Sequence, residues 1–161
     1  MEKQLKENDF IVSKTDLRGY ITYVNQIFIE IAEYSENELL GQPHNIVRNP
    51  NMPKAVFQLL WDKIENKEEV FAFVENQTKN KNSYWVFANV TPSMDNNGNI
   101  IGYLSVRRKP SDKALELIKP LYQKMLSAEK IEGVAGGTKI LMDTLSEKGV
   151  SYDEFIISIQ Q

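Results

Sequence analysis

Along the first two thirds of the chain the spacing of apolar residues changes from two to near four and back to two. Phe10-Ile11-Val12 and Tyr20-Ile21-Thr22-Tyr23-Val24 are short runs of β-formers around the turn signal Asp16-Leu17-Arg18-Gly19, which predicts a hairpin. Ile27, Phe28, Ile31 and Ala32 then follow helical spacing, with Asn25 placed to cap them. Ser35 with Glu38 three residues on is a capping box for a short helix ending at Gly41. From Glu69 the period returns to two. Strands are expected over 69–78, 83–91 and 100–107, divided by Lys79-Asn80-Lys81-Asn82 and by Asp95-Asn96-Asn97-Gly98-Asn99. A hairpin joined to a three-stranded meander predicts an α+β fold: a five-stranded antiparallel sheet with short helices on one face.

The ends of the chain follow other patterns. Residues 1–9 are polar apart from Leu5 and read as a frayed helix or arm. Lys109-Pro110-Ser111-Asp112 closes the last strand and caps a helix carrying Leu115, Ile118, Tyr122 and Met125 at 3-4-3 spacing. Pro120 is expected to kink or break that helix. Gly133 to Gly137 reads as a flexible link, and 138–147 and 151–159 as two short helices around Gly149. The expected organisation is an arm (1–9), a central domain (10–110) and a C-terminal helical segment (111–161).

The stretch from Gly41 to Pro53 departs from both periods. Three prolines punctuate it, so it must wander, leaving backbone N–H groups for caps or for a ligand. Arg48 sits at its centre. Pro53 opens a helix to about Asn66 on which Met52, Val56, Leu59 and Leu60 share one side and Phe57, Trp61 and Ile64 widen the arc. Such an arc fits a well-buried core helix, or one that meets both the core and a ligand.

Composition narrows the chemistry. The 161 residues carry a net charge of −3, which gives no basic excess for nucleic acid. There is no cysteine, hence no disulfide, thiolate metal site or redox thiol. His44 is the single histidine. It lies apart from any glycine-flanked serine and reads as a residue bonding backbone at a helix start. The glycines from 133 are not followed by Lys-Ser/Thr at P-loop spacing. No apolar run approaches the ~18 residues of a membrane span, so a cytoplasmic protein is expected.

Gly41 to Pro53 followed by Trp61, together with Ser83-Tyr84-Trp85-Val86-Phe87-Ala88-Asn89-Val90-Thr91-Pro92 and Ile118-Lys119-Pro120-Leu121-Tyr122, closely resembles the PAS domain of the aerotaxis-receptor family. These are flavin-binding redox sensors of bacterial energy taxis, and the resemblance runs from about Val12 to Leu126. It implies a PAS fold, no turnover chemistry, and FAD as cofactor, with FMN the alternative. Haem fits poorly, because His44 would be the only axial ligand. Arg48 matches the family arginine needed for FAD, and Trp61 the family tryptophan on the following helix. Where the family reads arginine, histidine, proline, aspartate, this chain has Arg48-Asn49-Pro50-Asn51, so two cofactor-linked positions are neutral amides. Phe87 stands where the family commonly has arginine.

Strand alternation puts Trp85, Phe87, Asn89 and Thr91 on one face, where the Asn89 amide would be satisfied by a flavin edge or by neighbouring backbone. The expected cofactor-binding set is therefore Arg48, Asn49, Asn51, Phe57, Trp61, Trp85 and Asn89. The expected partner is a membrane-bound chemoreceptor or a second copy of the chain. A cofactor-free interaction module using the same sheet face is the rival reading.

Overall fold

The computed structural model describes residues 1–161. Strands β2 (Ile11–Asp16) and β3 (Ile21–Val24) form the first hairpin, turned at Gly19, whose φ of 89° suits a residue without a Cβ. Strands β4 (Val70–Gln77), β5 (Ser83–Met94) and β6 (Ile100–Arg108) form the meander. β6 pairs back onto β2 from Ile11↔Arg107 to Asp16↔Gly102, which gives the antiparallel order β4-β5-β6-β2-β3. β5 runs past its expected end and through Pro92. β4 stops opposite Val90, so Pro92 lies where β5 has no neighbour on that side, a position that tolerates proline.

The arm differs from expectation. Glu2–Lys3 forms a short strand, β1, parallel to the start of β5, so the sheet has six strands and one parallel pair. Leu5 is 3% exposed in the core. Lys3 Nζ donates to the Ile31 carbonyl at 3.0 Å and to Glu33 Oε2 at 3.1 Å. One buried leucine and one well-placed lysine dock a segment that composition alone describes as frayed.

The inner face of the sheet is covered by α1 (Gln26–Ala32), α2 (Glu36–Leu39), a 3-10 turn at His44–Val47 and α3 (Lys54–Glu65). Asn25 accepts from Phe28 N as predicted. It also accepts from Val12 N and donates to the Phe10 carbonyl, so one amide fixes both the helix and the strand beside it. The Ser35/Glu38 capping box is complete. The proline-punctuated stretch is one 3-10 turn followed by a bridge from Arg48 to Asn76 on β4.

The C-terminal helices are α4 (Asp112–Glu132), α5 (Val134–Lys148) and α6 (Tyr152–Gln160). They share one apolar core with the sheet. α4 is not broken at Pro120. Pro120 and Glu116, whose carbonyl loses its partner, both face solvent, while Ile118, Leu121, Tyr122 and Met125 anchor the helix on either side. The glycine link is not flexible either: α5 starts at Val134, and Gly136 and Gly137 are buried in its first turns. A Cβ at Gly136 would lie 2.6 Å from the Ala128 carbonyl, and one at Gly137 would overlap the Glu129 carboxylate. These glycines allow α5 to approach α4. Tyr122 donates its hydroxyl to the Phe73 carbonyl at 2.6 Å, and Tyr152 to the Phe71 carbonyl at 2.7 Å. Both acceptors lie on β4, the terminal strand of that side of the sheet, so the helices also cover a strand edge.

Candidate functional site

The sheet alternation fixes what faces inward. Val74 and Asn76 of β4, Val86, Ala88 and Val90 of β5, and Tyr103, Ser105 and Arg107 of β6 all point toward the 3-10 turn and α3, and between them lies a cavity of about 260 Å³. Ligand sites generally run from roughly 300 Å³ upward, so this one suits a single fused ring system with any tail leaving through its open side. Val86, Ala88 and Val90 face Phe57, Leu60 and Trp61 across an apolar slot. No carboxylate lines the cavity. Three arginines do: Arg18, Arg48 and Arg107.

Arg107 is the buried one of the three. It is 3% exposed, and its partners are all neutral. Nη2 donates to Ser13 Oγ at 2.7 Å, Nη1 lies 3.0 Å from His44 Nε2, and the guanidinium stands 4.7 Å from the Phe28 ring centroid. Arginine can only donate, so His44 Nε2 accepts and the ring is neutral there. Burial, then the charge of Arg107, pulls the His44 pKa down to about 3. Burial likewise lowers Arg107 to about 10. Arg107 Nε is buried with no hydrogen-bond partner. A buried cation with a spare donor beside an apolar slot is suited to a planar ligand that presents acceptor oxygens or negative charge.

The predicted site residues divide. Arg48, Phe57 and Trp61 line the cavity. The Arg48 guanidinium sits 3.7 Å from the Phe57 centroid, and Trp61, 40% exposed, meets Tyr103 edge-on at 5.7 Å near Gly19. Asn49 and Asn51 do not line it. Asn49 is buried, donates to Glu75 Oε1 at 2.7 Å and accepts from Asn51 N at 2.9 Å, so this pair shapes the loop.

Trp85 and Asn89 are on the opposite face of the sheet, apart from this cavity. Trp85 packs on Tyr122 of α4, and Asn89 donates to Glu69 Oε1 at 2.8 Å. Phe87 is there too, stacked on Phe71. Alternation sorted the strand into two faces correctly but cannot say which faces the cavity, and both faces are covered by helices. Sequence reading missed Arg107; His44 stands at the start of the 3-10 turn and bonds backbone as expected, its N–H donating to the Gly19 carbonyl at 3.0 Å, but its ring also meets Ser13 and Arg107. The available signal was Arg107 in register with Tyr103 and Ser105, a charge on the face that a strand should bury.

No helix of the chain is long and apolar enough to cross a membrane. The chain is 41% identical over 119 residues to the aerotaxis receptor of Escherichia coli, covering 74% of this chain and 23% of that one. It is 28% identical over 97 residues to a nitrogen fixation regulatory protein of Klebsiella pneumoniae, covering 60% of this chain and 20% of that one. It thus spans about a quarter or less of these curated relatives. Among solved structures, a light-oxygen-voltage domain from a flavin-analogue study superposes with a TM-score of 0.61 at 20% identity, covering 75% of this chain and 87% of that one. The light-state light-oxygen-voltage domain of Aureochrome1 gives 0.61 at 20% identity, covering 71% and 90%. At such identities these two speak for the fold alone. The PAS-fold family model matches residues 1–109, in agreement with the sheet order and the inner-face helices, and the chain belongs to the PAS family as a sensory domain related to the aerotaxis receptor.

Proposed function

We propose that this PAS domain is a redox sensor that holds a flavin, FAD before FMN, in the cavity between α3 and the sheet. The observation that carries this is the orphaned Nε of Arg107, a buried residue lining an apolar, carboxylate-free slot. A flavin supplies reversible electron transfer on a flat ring whose polar edge accepts hydrogen bonds. Arg107 would hold that edge, and Phe57, Leu60 and Trp61 would bound the ring. Arg48, at the outer part of the cavity, would take phosphate, for which a guanidinium fork is well shaped. Reduction adds electron density to the ring, and Arg107, with no anionic partner of its own, would stabilise it. His44 and Ser13 would keep the guanidinium oriented.

In this reading the domain acts in the cytoplasm and passes its redox state to a separate chemoreceptor-type protein, with or without forming a homodimer. The likeness to an aerotaxis receptor supports that choice of partner. The purified protein should show a flavin spectrum that dithionite bleaches, or acquire one on mixing with FAD or FMN. Colourless protein that takes up neither would leave the cofactor-free interaction module as the better reading.

A further inference from the structure

Helix α3, which forms one wall of the cavity, starts without a cap of its own. Pro53 at its N-cap makes no side-chain hydrogen bond, and the first N–H groups of any helix lack intrahelical partners. They are met from 75 residues away. Glu129 of α4 accepts from Lys54 N through Oε1 at 2.9 Å and from Ala55 N through Oε2 at 3.0 Å. A carboxylate on two N–H groups at the positive end of a helix is a charge-assisted contact.

The same carboxylate is boxed in from the other side, because α5 presents Gly137 to it and a Cβ there would overlap it. Gly136 brings the α5 backbone equally close to Ala128. Two residues beyond Ala55, α3 carries Phe57, which lines the cavity and lies under Arg48. The Glu129 charge also reaches Arg48. One side chain thus joins the wall of the cavity to the turn between α4 and α5. That turn lies outside the region matched by the family model.

We propose that Glu129 is a positioning residue of the ligand cavity, and that through it the α4–α5 turn responds to whether the cavity is filled. The ligand half of this rests on the cavity being the ligand site, as argued above; the mechanical half does not. Because coupling between two sites is reciprocal, a ligand that steadies α3 must steady the α4–α5 turn by the same factor by which the turn improves ligand binding.

The test is amide hydrogen exchange on the full chain, with FAD and FMN as probes. In the ligand-free protein, Glu129→Gln should speed exchange at residues 54–61 at least tenfold and leave β2 and β6 unchanged. Phe57→Ala, on the cavity wall, should speed exchange at residues 129–141. Adding flavin to the unaltered protein should slow exchange at 129–141, and Glu129→Gln should weaken flavin binding about three- to tenfold. Gly137→Ala, which displaces the carboxylate without removing it, should reproduce both effects of Glu129→Gln. Exchange at 54–61 that ignores Glu129→Gln overturns the proposal, as does flavin binding that leaves 129–141 unaffected. If neither flavin binds while both ligand-free responses appear, the coupling stands and the flavin reading falls.

Discussion

A guanidinium that is 3% exposed, with no carboxylate beside it, works against folding. Its retention makes sense if a ligand supplies what the protein lacks. Arg107→Met should therefore raise the thermal midpoint of the ligand-free protein, by the equivalent of about 1 kcal/mol or more, while it weakens flavin uptake. A lowered midpoint would mean that Ser13, His44 and Phe28 already compensate the charge. His44 gives a second prediction. Its folded pKa of about 3 is below the unfolded value near 6.5, so between those values the unfolded chain binds the extra proton. Its contribution is complete above pH 6.5 and is lost as pH falls toward 3. Urea midpoints should drop between pH 7 and 5.5, and His44→Gln should flatten that drop. Glu33 and Glu38, lowered to about 2, add their own loss only below about pH 4.5.

At the scale of elements, what was legible came from local chemistry. Asn25, Ser35 with Glu38, and the Asp95 to Asn99 turn each state their structure in a few residues, and all three form. The failures were elements decided by remote partners. Pro120 does not break α4, because the lost bond faces water while the opposite face is clamped. Gly136 and Gly137 look like a linker until α4 is set against them. Trp85 and Asn89 share a face of β5 as alternation predicts, but both sides of β5 are covered, and only the long-range placement of α3 and α4 decides which one meets the cavity. Arg107 was readable in principle from its register with Tyr103 and Ser105. The two tyrosines on the β4 edge give a prediction here. Tyr122→Phe and Tyr152→Phe should each cost about 1–2 kcal/mol in a denaturant titration, since each leaves a carbonyl of the covered edge without its donor. Losses near zero would mean that water reaches that edge.

On the scale of the whole molecule, the sheet turns one face to the cavity beneath α3 and the other to its own C-terminal helices. Of the outer aromatic residues, Trp85 packs on Tyr122 of α4 and Phe71 stacks on Phe87, with a cavity of about 580 Å³ left between those two rings and Ile157 and Gln160 of α6, so the outer face is covered only in part within the chain itself. A chain ending at Pro110 would uncover those rings and the β4 edge. It should unfold at lower denaturant and associate at concentrations where the full chain does not, as light scattering would show. The account as a whole depends on what fills the slot beside Arg107. The most direct measurement is the dissociation constant for FAD, by flavin fluorescence, of the full chain and of its Arg107→Met variant. The account predicts saturable binding that the variant weakens at least tenfold while remaining folded. Binding unchanged in Arg107→Met would contradict it, as would no binding by the unaltered chain.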